Sequence, residues 1–189
     1  MFHSRVFHTH SVRIWSVGHG TRPVEELIGV LRDAGVTGLV DVRTVPGSHR
    51  HPQFGQAPLR ATLAKAGIDY VHLRGLGGRR DPVPGSPHVA LRVDAFRGYA
   101  DHMASEGFQR DLALLEERAK KAPTAFMCAE ASWTACHRRL VSDLLTVHGW
   151  DVTHLLGPSK SEAHRLWDVA RVVDGRLLYD GGAIPLPSP

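Results

Sequence analysis

Three glycines constrain the fold more than any other feature of this sequence. Ala34-Gly35-Val36, Ala66-Gly67-Ile68 and His148-Gly149-Trp150 each stand where a run with helical apolar spacing gives way to a run of β-forming residues. Glycine ends a helix well, because it takes the left-handed conformation of the closing turn without a Cβ penalty. A helix that stops at glycine and passes at once into a strand is the grammar of successive βα units. Strands alternating with helices imply a mostly parallel sheet covered on both faces.

Taken in order, apolar runs predict strands over 13–17, 38–42, 68–73, 123–127 and 150–156. Helices are expected over 24–34, 57–66, 94–106, 108–121 and about 139–148, with a further helical piece over 162–170. Thr21 reads as the N-cap of the first helix, with Pro23, Glu25 and Glu26 suited to its first turn. Asp174-Gly175 predicts a hairpin over 171–179. The stretch 74–90 carries Gly75, Gly77, Gly78, Pro82, Pro84, Gly85 and Pro87, and its length and punctuation mark a binding loop or lid. The fold class expected is α/β: a mostly parallel sheet of about five strands, helices on both faces and a C-terminal hairpin. It would form a single domain over 13–180, with a flexible extension over 1–12 and a tail over 181–189.

The sequence has 189 residues, 42% hydrophobic and 22% charged, as in ordinary globular domains. Its apolar runs stay well short of the roughly 18–20 residues a membrane helix needs, and its start lacks a signal-peptide core, so a cytoplasmic protein is expected. A formal charge of +4 permits an anionic partner without demanding one. Two cysteines make no disulfide framework.

Both cysteines fall within Met127-Cys128-Ala129-Glu130-Ala131-Ser132-Trp133-Thr134-Ala135-Cys136-His137-Arg138-Arg139, a strand-to-helix turn. Ligands in open α/β sheets sit at the carboxyl ends of strands. Right-handed crossovers put the ends of the first four strands on one edge, so His19, Asp41, Arg43, Cys128 and Glu130 are expected there together. Cys128 reads as a nucleophile at a strand end, with Glu130 or His19 moving protons. If Ser132 caps the helix, Cys136 lies in its first turn, where the dipole and Arg138 lower a thiol. Asp41 is suited to bridge a neighbouring arginine. His49 and His51 read as surface residues.

Arg43, Arg79, Arg80 and Arg138 supply guanidinium forks, which suit phosphate or carboxylate. With Asp41, Cys136 and His137 they form the expected binding set for a small anionic, nucleotide-like ligand. No cofactor and no metal is expected. Cys-x7-Cys-His is an unusual zinc spacing, and adjacent helical residues point about 100° apart. A metal or redox site of Cys128, Cys136 and a histidine is the first alternative. A nucleic-acid-binding module is the second, although the arginines lack interleaved aromatics.

Taken together, Gly18-His19-Gly20-Thr21-Arg22, Asp41-Val42-Arg43, Pro52-Gln53-Phe54, Gly77-Gly78-Arg79-Arg80, Phe96-Arg97-Gly98-Tyr99 and Cys128-Ala129-Glu130 with Cys136-His137-Arg138 form a set. That set resembles the domain of unknown function 488 family, in order from about residue 13 to Tyr179. The resemblance implies a compact α/β fold of bacterial and archaeal proteins. It also implies that His19, Asp41, Arg43, Arg79, Arg80, Cys128, Glu130, Cys136, His137 and Arg138 are signature positions. It supplies no reaction. Gly20 departs from the serine or other small residue expected there.

Overall fold

The computed structural model describes residues 12–47 and 50–182. Residues 1–11 with their histidines, Ser48 and His49, and most of the expected tail lie outside the described residues. The strands are β1 (Arg13–Gly18), β2 (Gly38–Asp41), β3 (Asp69–His72), β4 (Thr124–Cys128), β5 (Asp151–Gly157), β6 (Lys160–Ala163), β7 (Arg171–Val173) and β8 (Arg176–Leu178). The helices are α1 (Val24–Asp33), α2 (Gln56–Lys65), α3 (Asp94–His102), α4 (Glu106–Lys121) and α5 (Arg138–Val147). Single 3₁₀ turns at Pro52–Phe54 and Arg74–Leu76 complete the set.

One six-stranded sheet runs β3-β2-β4-β1-β5-β6, and every pairing is parallel except β5 with β6. Central β2 and β4 are buried throughout, as strands covered on both faces must be. On one face α1 and α2 pack Leu27, Leu31, Leu59 and Leu63 against Leu39, Ala125 and Met127. On the other α3, α4 and α5 pack Tyr99, Phe108, Leu115, Leu140 and Leu145 against Val40, Phe126 and Val152.

The three glycine junctions are built alike. Gly35, Gly67 and Gly149 take φ of 70°, 76° and 88°. The next N–H then reaches back five residues, from Val36 to Leu31 O, Ile68 to Leu63 O and Trp150 to Leu145 O, at 2.9, 2.9 and 3.0 Å. In each pair both side chains are buried, which is the hydrophobic contact that accompanies this helix ending.

Three expectations need correction. The helix expected over 162–170 is absent: Ser159 takes φ 51°, the chain turns back, and β6 lies antiparallel on β5 as an exposed edge carrying Lys160 and Glu162. With β6 the sheet has six strands, in keeping with the mostly parallel sheet of about five that the sequence predicts. Thr21 is not a cap, since α1 starts after Pro23, whereas Ser105 caps α4 by accepting from the Phe108 N–H. The loop over 74–90 is no free lid. Asp101 accepts from the Val83 N–H and Ser86 Oγ, and the Ala90 N–H bonds Tyr179 O. The hairpin is as expected, with Asp174 and Gly175 at φ 49° and 76° joining β7 to β8. Among the described residues, no helix is long and apolar enough to cross a membrane.

Candidate functional site

Neighbouring strands β1 and β4 send their chains in opposite directions across the sheet, β1 toward β2 and β4 toward β5. Their carboxyl ends are thus a topological switch point, where open α/β sheets leave a crevice. Cys128 closes β4 opposite Gly18 of β1. The ladder continues one step into the loops, with the His19 N–H on Cys128 O (3.0 Å) and the Gly20 N–H on Ala129 O (2.9 Å).

The loop that follows does not cap α5 with Ser132, which bonds Thr134 Oγ1 instead (2.8 Å). The helix begins at Arg138, so Cys136 lies ahead of it and His137 at its N-cap. Outside a helix the two need not diverge, and they converge. His137 Nδ1 lies 3.9 Å from Cys128 Sγ and 3.7 Å from Cys136 Sγ. The three atoms all lie within 4.8 Å of one another. The imidazole Nε2–H donates to Val42 O (3.1 Å), which leaves Nδ1 as the nitrogen facing both sulfurs. Both cysteines are free thiols.

The walls of this cluster explain part of the glycine-rich loop. A Cβ on Gly78 would stand 2.6 Å from His137 Nδ1, and one on Gly77 would stand 2.6 Å from Thr44 Oγ1. These glycines serve close packing. Tyr99 supplies another wall, its ring centroid 5.0 Å from that of His137 and its hydroxyl donating to Leu76 O (2.7 Å). Tyr99 escaped the sequence reading as a site residue, although it lies in a motif noted there.

The two thiols do not share charge equally. A hydrogen bond from the Cys128 thiol holds Cys136 well below the usual thiol range; burial opposes this, and His137 and Arg138 add to it. The same bond and burial push Cys128 up. Of the two, Cys136 is the thiol favoured to ionise, whereas the sequence reading placed the nucleophile at Cys128.

Arg138 is 1% exposed and donates to Ser16 Oγ (3.1 Å), Glu130 O (2.6 Å) and Ala131 O (3.3 Å). Its Nε has no partner, and none of these acceptors is a carboxylate. It braces the cysteine loop from below and cannot reach out to a ligand. Glu130 is exposed, and what it gives the site comes from its backbone: the carbonyl to Arg138 and the N–H to Cys128.

The cluster expected around β2 is a closed network. Asp41 accepts from Arg43 Nε (2.9 Å), Arg43 NH2 (2.6 Å), the Arg43 N–H (3.0 Å) and Tyr70 OH (2.7 Å). Arg43 donates further to Phe54 O (2.8 Å) and His19 Nε2 (3.2 Å). Asp41 and Arg43 are 0% and 6% exposed, so the arginine binds the fold rather than a substrate. His19 donates from Nδ1 to Gly20 O (2.9 Å) and stacks on Phe54 at 4.1 Å. Burial, helped by Arg43, lowers its pKa from 6.5 to about 4 against the Gly20 bond. With both nitrogens engaged, it is a buried neutral histidine and not a proton carrier. His72 joins the same region through Arg43 O (2.7 Å).

Arg79 and Arg80 stand differently. Arg79 is exposed at φ 61°. Arg80 is half-buried, with an unpartnered Nε, close enough to Tyr99 and His102 for its charge to act on both.

A third cluster escaped the sequence reading. Asp143 accepts from His164 Nε2 (2.9 Å) and Tyr179 OH (2.9 Å), while His154 Nε2 donates to His164 Nδ1 (3.0 Å). Trp133 of the cysteine loop stacks on His154 at 4.0 Å and donates to Glu162 (3.3 Å). This chain ties the loop and the segment after β6 to α5. Surface hollows lined by Arg60, Gly67 and Tyr70, or by Gly38, Asp69 and Thr124, lie at the strands' amino ends, away from the sulfurs.

A family model described as domain of unknown function, DUF488, matches residues 23–145, and the chain belongs to that family. No curated protein and no solved structure matches it.

Proposed function

We propose that this member of the DUF488 family is an enzyme acting on a small anionic, nucleotide-like substrate at the Cys128–Cys136–His137 centre. The observation that carries this reading is the convergence of two sulfurs and one imidazole nitrogen at the switch point of the sheet. A hydrophobic core needs no such group there, and the fold holds it with a buried arginine and the close-packed Gly78. Arg138 sets a positive potential beneath the cluster, which suits an anion. Arg79 and Arg80 are the guanidinium groups left to grip that anion, because Arg43 is consumed by Asp41. Cys128 is 7% exposed and Cys136 2%, so a substrate meets the Cys128 side first.

The reading is tested by thermal unfolding with inorganic phosphate, acetate and nucleoside monophosphates. A ligand at about 100 times its Kd should add about 2.7 kcal/mol, and Arg80→Met should weaken binding about tenfold or more. If none of these anions stabilises the protein, the substrate class is wrong. Tight binding of an oligonucleotide that weakens steeply with salt would assign the chain to nucleic acid instead.

A further inference from the structure

We propose that Cys128, Cys136 and His137 bind one zinc-like divalent ion as a two-sulfur, one-nitrogen site, with a fourth position open to an anionic ligand. The inference rests on the reading above for where the chemistry lies, and makes the sulfurs ligands rather than the attacking group.

Donor geometry is the first support. Zinc bonds of about 2.3 Å to sulfur and about 2.0–2.1 Å to nitrogen, at tetrahedral angles, separate neighbouring donors by about 3.5–3.8 Å. The two sulfur-to-Nδ1 distances are 3.9 and 3.7 Å, so closing on an ion needs shifts of a few tenths of an ångström. Thiol–imidazole hydrogen bonds alone do not require both sulfurs to face one nitrogen.

The tautomer is the second. Metal-binding imidazoles hold their remote N–H on a carbonyl or carboxylate, which fixes the ring and frees the other nitrogen. Val42 O does this for His137. Gly78 and Tyr99 press on the ring from other sides and leave it one orientation. The sequence argument against a metal assumed that Cys136 and His137 were successive helical residues; with the helix starting at Arg138, that argument lapses.

Charge gives the third support and names the ligand. A divalent ion with two thiolates and a neutral imidazole carries no net charge; binding expels any proton that either sulfur still holds. Arg138 remains beneath as a buried cation with no carboxylate among its hydrogen-bond partners. An uncompensated buried charge is costly, so an anion at the open fourth position balances the centre. Two soft sulfurs and one imidazole favour zinc over magnesium or calcium. Three protein ligands with one open position is the pattern of catalytic rather than structural zinc.

The test uses the full chain, reduced, stripped with a chelator and titrated with zinc and with cobalt(II). One ion per chain is expected, with visible ligand-field bands and sulfur-to-cobalt charge transfer. Cys136→Ser and His137→Ala should each weaken binding more than about 100-fold, beyond the effect of losing an outer partner. Thr134→Ala, on the same loop, should bind as the parent does. No stoichiometric ion on protein with both thiols free, or equal binding by Cys136→Ser, overturns the site. Inorganic phosphate added to the cobalt protein should shift the bands. Binding of metal without that shift overturns the open anion position, while phosphate stabilisation of protein that takes no metal leaves the function reading standing without the ion.

Discussion

Two polar clusters sit on adjacent strands only a register apart, at the ends of β2 and β4, where Asp41 lies opposite Met127. They are built from similar residue types and do different things. Around Asp41 the hydrogen-bonding groups are taken up: four donors meet one carboxylate, and Arg43 spreads over Asp41, Phe54 and His19. Around Cys136 they are not: two sulfurs face one nitrogen, and a buried guanidinium lacks a carboxylate. A polar cluster that satisfies itself stabilises a fold, since breaking it strands a buried charge. One with spare donors and spare charge is prepared for something that is not protein.

That contrast can be broken at several points. The largest effect should come from Arg43→Met, which leaves Asp41 buried and unpaired; urea unfolding should show a loss of about 3–5 kcal/mol. A loss below about 1 kcal/mol would mean that the closed network does not hold the fold. Acid should act next. Burial holds His19 neutral, with its pKa lowered from 6.5 to about 4, and burial with His164 and Arg138 lowers His154 to about 3. The unfolded chain then binds protons that the folded chain refuses, so stability is full above about pH 6.5 and falls as pH drops toward 4. His19→Gln should flatten that fall between pH 6.5 and 4, and an unchanged slope would sink this assignment. Cys136→Ser sharpens the comparison from the other side. It should cost only about 1–2 kcal/mol by unfolding, as one buried polar exchange does, while removing one of the two sulfurs that face His137. If it costs as much as Arg43→Met, the sulfur cluster is structural too. Smallest is Ser105→Ala, which removes the α4 cap far from both clusters and should cost about 1 kcal/mol without changing thiol reactivity.

Much of the fold was legible because it is written locally. Gly35, Gly67 and Gly149 end helices through bonds that span five residues, and Asp174-Gly175 turns a hairpin within four. From such pieces the βα alternation follows, and with it the edge where His19, Asp41, Arg43 and Cys128 meet. Where the local signal was weak it misled: the segment after Gly157 had some helical spacing, yet β5 offered an open edge and the chain paired with it.

What only the tertiary structure decided is which polar groups are spent. Arg43 and Arg138 look alike in sequence as groups for an anion, and both turn inward, one onto Asp41 and one onto Ser16 and the Glu130 carbonyl. Asp143, His154 and His164 carried no motif, and their chain forms only because β5 and the segment after β6 close over α5. The reason is one of range. Backbone conformation answers to neighbours a few residues away, whereas a buried side chain's partners come from across the sheet. The order of the elements could be read along the chain, and the satisfaction of each donor and acceptor only once the chain had closed on itself.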